Sequence, residues 1–157
     1  MSMPRLVLSA CLFASAWMLG PAVGQTAPIV SRMTPDEVLD FLHANKVEAR
    51  HHPGPTNEPT VQAVLGGMRG AVILKDCEEK RCGSLKFVVS GKADARHTPD
   101  YLNDWNARRR YVPAYLFDGT VFLTRDFNLS GGVTTAALVQ ELRVFDTLVR
   151  GFGSFKP

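Results

Sequence analysis

The segment AVILKDCEEKRCGSLKFVVS, residues 71–90, decides the fold. Ala71 to Leu74 is a continuous apolar run, the pattern of a buried central strand. Leu85, Phe87 and Val89 alternate with Ser84, Lys86 and Ser90, as in a strand with one buried face. Between the two runs, Cys77 and Cys82 bracket Glu78-Glu79-Lys80-Arg81, which reads as a four-residue loop joining antiparallel neighbours. A hairpin loop of that kind sets its flanking residues opposite each other, at a spacing a disulfide accepts.

Working outward, Thr60 to Leu65 reads as another strand, joined to the central one by a turn over Gly66-Gly67-Met68-Arg69-Gly70. Val47 to His51 reads as a short strand, and Pro53, Gly54, Pro55 and Pro59 make the intervening stretch a loop. Thr34-Pro35-Asp36-Glu37 is a helix start with a cap, a proline at the first helical position and a capping box. Val38, Leu39, Phe41 and Leu42 continue it to about Asn45. Downstream, Thr98-Pro99-Asp100 opens a second helix that carries Tyr101, Leu102 and Trp105 and closes on Arg108, Arg109 and Arg110. Tyr115–Phe117 and Thr120–Thr124 flank Asp118-Gly119, a two-residue hairpin signal. After Gly131-Gly132, Leu138, Leu142, Phe145, Val149 and Phe152 recur at helical spacing. The expected class is α+β: an antiparallel sheet of about six strands packed by three helices, in the order α-β-β-β-β-α-β-β-α.

The chain has 157 residues and a formal net charge of +3, with 45% hydrophobic and 21% charged residues. Such a mix excludes disorder, collagen and low-complexity fibres, and the charge is too small to imply nucleic acid. Arg5 is the sole charge in the first 31 residues. It precedes an apolar run from Leu6 to Leu19 and the small residues of Pro21-Ala22-Val23-Gly24, the pattern of a secretory signal peptide cleaved after Gly24. The run is shorter than the ~20 residues a membrane span needs. Leu8-Ser9-Ala10-Cys11 imitates a lipobox, but too few apolar residues precede Cys11. The expected division is a cleaved leader over 1–24, a loose lead-in over 25–33 and one domain over 34–157. Cleavage removes Cys11 and leaves two of the three cysteines, Cys77 and Cys82, for one structural disulfide in an oxidising compartment. On the loop-entropy model it adds about 2 kcal/mol. Periplasmic or secreted location follows as an expectation, with no stable membrane insertion once the leader is gone.

No motif commits the chain to chemistry. Four residues between the cysteines are too many for a redox pair, and no spaced His or Cys pair completes a zinc site. His51 and His52 are adjacent and point to opposite faces of a strand, while His43 lies near a helix end. Asp126-x-Asn128-x-Ser130-Gly131 imitates a calcium loop, but its twelfth position is Ala137 instead of Glu. Asn128-Leu129-Ser130 matches the glycosylation triplet, a pattern short enough to recur by chance. The glycines at 66–70 lack the Lys-Ser/Thr of a phosphate loop, and Gly83-Ser84 lacks the frame of a nucleophile elbow. Neither metal nor cofactor is expected.

From the cysteine hairpin onward the sequence resembles the YbjN-like family of bacterial proteins, labelled sensory transduction regulators. The resemblance rests on Cys77 and Cys82 followed by Ser84-Leu85-Lys86-Phe87, and on Asn103-Asp104-Trp105-Asn106 with Arg109 or Arg110 as the helix-ending Arg. Tyr115-Leu116-x-Asp118-Gly119 and Asp126-x-Asn128-Leu129-x-Gly131-Gly132-Val133 follow in order, and Thr34 to Leu42 resembles the family's opening helix. Coverage is about residues 34–152. The chain departs in its Pro-rich loop 53–59, and in Phe145-Asp146 where the family usually carries Trp. The resemblance implies a fold like that of type III secretion chaperones, often dimeric, with no established catalytic residue. On that fold Tyr101 and Trp105 would bury against the sheet, while Asn103 and Asn106 would bond to loop backbone.

Composition, leader and resemblance together lead to an exported, non-catalytic binding module, chaperone-like or regulatory, engaging a protein partner through the sheet face or an edge strand. A homodimer is one form this could take. The alternatives are a small exported hydrolase assembling Asp126, His97 or Asp104 in space, and an anion binder using Arg108 to Arg110.

Overall fold

The computed structural model describes residues 28–52 and 58–156. The expected leader with Cys11, the first residues of the lead-in, and residues 53–57 of the Pro-rich loop lie outside the described residues.

In chain order the elements are β1 (Ile29–Val30), α1 (Pro35–Ala44), β2 (Ala49–His52), β3 (Thr60–Leu65), β4 (Met68–Glu78) and β5 (Arg81–Lys92). Then come α2 (Pro99–Arg108), β6 (Ala114–Phe117), β7 (Thr120–Asn128), β8 (Val133–Thr134) and α3 (Thr135–Phe152). Six strands form one antiparallel sheet in the order β2-β3-β4-β5-β7-β6. The architecture is α+β with three helices, as the sequence pattern implies. The three helices start where their caps dictate. Thr34 and Glu37 complete the capping box of α1, and Thr98 and Thr134 accept from the N–H of Tyr101 and Ala137. One face of the sheet, with Val61, Leu65, Val72, Leu74, Leu85, Phe87, Val89 and Leu123, is buried under the helices. The whole predicted stripe of α3 is buried as well, and Phe145 meets Phe87 at 5.6 Å between ring centroids.

Four local details differ from the sequence reading. The hairpin joining β4 to β5 turns through two residues, Glu79 and Lys80, with φ of 46° and 71°, and Glu78 pairs with Arg81. These are the left-handed values a two-residue hairpin needs, and neither Glu nor Lys advertises them. The turn after β3 likewise contracts to Gly66-Gly67, because Met68 and Arg69 already pair with Leu65 and Val64. β7 runs past Thr124 to Asn128, since Arg125 and Asp126 keep register with Phe87 and Lys86. The lead-in, read as loose, is held from residue 28 onward. Ile29 and Val30 pair with Thr134 and Val133, and Met33 is 5% exposed. Two residues per strand carry no periodicity, so the β1–β8 ribbon left no pattern to read.

Cys77 and Cys82 are disulfide-bonded register partners at the outer end of this hairpin. Cys82 turns its backbone N–H and C=O away from β4 to Met33, at 2.8 and 3.0 Å. That makes Cys77 opposite Cys82 a pair without mutual backbone hydrogen bonds, the closer of the two antiparallel arrangements. Arg81 bonds Glu37 at 3.0 Å and the Arg32 carbonyl at 2.8 Å, and Arg32 pairs with Glu78 at 2.9 Å. The hairpin end is thus the station on which the chain docks just before α1.

Candidate functional site: the open face of the sheet

Because all three helices pack on one side, no helix among the described residues covers the other side of the six strands. Strand alternation assigns its residues. Gln62, Ala71 and Val88 form one row in register, and Thr60, Ile73 and Lys86 form the next. The face is a trough of roughly 770 Å³ whose apolar floor includes Val64, Ala71, Ile73, Val88 and Phe122. Tyr115 stacks on Phe122 at 5.2 Å and 13° between planes. Antiparallel sheets with a solvated face ordinarily show polar residues there; here Ala71, Ile73, Val88 and Phe122 interrupt the polar residues Thr60, Gln62, Lys86 and Ser90.

The apolar run 71–74 therefore has two different sides. Val72 and Leu74 are fully buried under the helices, whereas Ala71 and Ile73 lie half-buried on the open face. Reading that run as a strand covered on both faces is corrected here: one cover is missing. Phe87-Val88-Val89 and Val121-Phe122-Leu123 carry the same double-sided signal. It was present in the sequence, but separating a buried face from an exposed apolar one required knowing where the helices go.

The trough is positive. Arg50, Arg69 and Lys86 line it with Glu48, and Asp126 stands beside Lys86 on the same face. Arg50 Nε donates to Gln62 Oε1 at 2.9 Å, and Gln62 Nε2 lies 2.9 Å from His52 Nδ1. Lys86 reaches Asp126 at 3.8 Å.

The residues of the Asn-x-Trp-Asn stretch hold α2 to the strand that follows it. Trp105, 1% exposed, donates its indole N–H to the Val112 carbonyl at 2.7 Å. Asn106 donates to the Ala114 carbonyl at 2.9 Å and accepts the Ala114 N–H at 2.8 Å. Asn103 stands exposed on the outer side of the helix, and Asn106 bonds the first residue of β6 where loop backbone was expected. Tyr101 and Trp105 are buried in the core that the sheet's inner face shares, and their ring partners are Phe152 and Phe155, at and beyond the end of α3. Burial raises the Tyr101 phenol above its usual range, and its hydroxyl donates to the Phe152 carbonyl. Arg109 is the residue that closes the helix, its guanidinium 5.9 Å from the centres of Trp105 and Phe155.

Asp118 and Gly119, with φ of 45° and 67°, make the two-residue turn expected of them. Gly131 and Gly132 have φ of 109° and 88°, and Gly132 donates its N–H to the Leu129 carbonyl at 2.9 Å. Asn128 Oδ1 accepts the Ser130 N–H, a local turn within the calcium-loop lookalike.

The remaining candidates do not converge. His97 lies between Tyr101 and Phe152, its Nδ1 accepting the Asp94 N–H at 3.0 Å. Asp104 is engaged by Arg108 at 3.0 Å, and Asp126 belongs to the opposite, open side beside Lys86. The three arginines separate too, Arg108 onto Asp104, Arg109 onto the aromatic rings and Arg110 exposed beyond the helix end. Among the described residues no group of three His, Cys, Asp or Glu gathers as metal ligands would. One carboxyl is strongly perturbed: hydrogen bonds from the Arg96 guanidinium and backbone hold Asp94 down to about 2.

Against known families, residues 34–154 match the YbjN family, described as "putative bacterial sensory transduction regulator". Among solved structures, the chain is similar to YbjN, "a putative transcription regulator from E. coli", at TM-score 0.56 and 12% identity, covering 81% of this chain and 95% of that one. It is also similar to an uncharacterized protein from Methanothermobacter thermautotrophicus, at TM-score 0.51 and 8% identity, covering 75% of this chain and 92% of that one. At such identities the likeness is one of fold. No curated protein sequence matches.

Proposed function

The chain belongs to the YbjN family, and from that premise we propose that it is an exported regulatory protein that works by binding another protein across the open face of its sheet. A family of regulators supports a binding role over turnover. The observation that carries the proposal is the missing cover: β4 turns Ala71 and Ile73, and β5 turns Val88, onto a face that no helix among the described residues covers. Burying apolar area stabilises at roughly 25 cal/mol per Å², so this trough offers a partner binding energy that the described residues leave unused. Export is supported by the signal-peptide pattern over residues 1–24 and by the disulfide at the β4–β5 end, since such bonds persist outside the reducing cytoplasm.

Two measurements test it. Fractionation of the producing cell, with mass spectrometry of the product, should find a chain beginning near Gln25 and lighter by two hydrogens than the dithiol. A full-length cytoplasmic chain with two free thiols would overturn export. A photo-crosslinking amino acid placed at Ser90, exposed within the trough, should give protein adducts in cells. The same group at Gln140, exposed on α3, should not. Equal yields at the two positions, or none at Ser90, would sink the open-face proposal.

A further inference from the structure

We infer that the partner segment is an acidic amphipathic helix, laid across the strands with carboxylates set on Arg50 and Arg69 and its apolar side on Ile73, Val88 and Phe122. The inference rests on the open-face reading and specifies its occupant.

Charge comes first. Arg50 bonds neutral Gln62, and neither Arg50 nor Arg69 makes an ion pair among the described residues, where other arginines such as Arg81, Arg108, Arg125 and Arg150 each do. No residue outside the described ones carries an acidic side chain. Whatever covers the trough takes these two guanidinium groups out of water. A buried charge without a partner is strongly destabilising, so the cover must itself bring carboxylates, for which the planar guanidinium offers a two-point fit. A neutral or basic cover would leave both arginines desolvated and unpaired. The chain's own first 24 residues hold no acid, and they fail the requirement.

Backbone accounting comes second. The trough lies on the face of the sheet, whose interior strands already spend their N–H and C=O groups on one another. A segment covering that face finds few backbone partners there and must satisfy its own polar groups internally, which a helix does. Strands spaced about 4.8 Å apart make six of them roughly 24 Å across, the length of a helix of about 16 residues.

The experiment is the Ser90 crosslink with the adduct peptide sequenced, made in three backgrounds: unaltered, Arg50→Glu with Arg69→Glu, and Arg50→Lys with Arg69→Lys. Melting curves and the intact disulfide check that each variant folds. The expected adduct is a segment with Asp or Glu on one helical side and aliphatic residues on the other. Charge reversal should lower its yield at least about tenfold, and the lysine pair should retain most of it. Adducts that form undiminished with the reversed pair, or that carry basic or uncharged segments, would overturn the acidic helix while leaving the open-face reading standing. A second copy of this chain as the sole adduct would also overturn it. Absence of any adduct at Ser90 removes both readings.

Discussion

The side chain of Asn106 brackets the backbone of Ala114, donating to its carbonyl at 2.9 Å and accepting from its N–H at 2.8 Å. Ala114 begins β6, an edge of the sheet, so the carboxamide occupies the place that a further strand's backbone would take. It guards an edge with no charge of its own, where Leu116 and Phe117 are 44% and 70% exposed. Unguarded apolar edges pair with other chains. Asn106→Ala should therefore lower stability by about 1–3 kcal/mol, the cost of leaving buried backbone groups unsatisfied. It should also promote self-association. Chemical denaturation and gel filtration check the two parts separately. Asn106→Asp keeps the acceptor and loses the donor, and should fall between Asn and Ala in stability.

Cys77–Cys82 ties the strand end on which Met33 docks. Reduction by a dithiol should cost about 2 kcal/mol for so short a loop, or roughly 5–10 °C in melting temperature for a domain of this size. Amide exchange should quicken at Met33 and Cys82, each of whose N–H groups donates to the other's carbonyl. Phe87, in the middle of β5, should change only as far as global stability does. Identical melting with and without reductant would show that the bond is absent in solution or carries no stability.

Two carboxyls should contribute to the acid limb of the stability curve. Burial works to raise the pKa of Glu37, but bonds from the Thr34 N–H and Arg81 outweigh it and hold the group below its usual 4.5. Asp94 lies lower still, at about 2. Both pKa values are depressed on folding, so both groups stabilise fully above their unfolded values and lose that contribution as pH falls through the folded ones. Stability should drop from about pH 5 for Glu37, with Asp94 extending the loss toward pH 2. Glu37→Gln should flatten the upper part of this fall and Asp94→Asn the lower part, as read by melting temperature against pH. An unchanged slope in both variants would place the acid-sensitive contacts elsewhere.

These contacts differ in how far sequence could reveal them. Thr34 with Glu37, and Asp118 with Gly119, are local: cap and turn chemistry act within three residues and show in the string of letters. The stripe from Leu138 to Phe152 was legible for the same reason, since the helix imposes its own period. Glu79 and Lys80 take left-handed backbone values because the strand register closes around them, which no residue preference announces. The trough was the hardest to see. Val72 and Ile73 are neighbours of similar chemistry, and only the helices' choice of side makes one core and the other surface.

Gly66 and Asp146 supply a test of crowding at the turn after β3. The Asp146 carboxylate accepts the Gly66 N–H, and it also receives Arg150 at 2.8 Å. Gly66 has φ +58°, and a Cβ there would stand 2.5 Å from Val149 Cβ and 2.9 Å from the Asp146 carbonyl oxygen. Its neighbour Gly67 has φ +81° with no atom within 4 Å of a Cβ. Left-handed backbone alone costs an ordinary residue about 1–2 kcal/mol, and overpacking adds about 1–3 more. Gly66→Ala should therefore destabilise by about 3 kcal/mol or more, against about 1 for Gly67→Ala. Asp146→Ala should cost about 1–3 kcal/mol through the orphaned N–H, and Asp146→Asn, which keeps an acceptor oxygen, should recover most of it. Equal losses at Gly66 and Gly67 in urea denaturation would mean that backbone conformation alone, and not the approach of α3, fixes glycine at this turn.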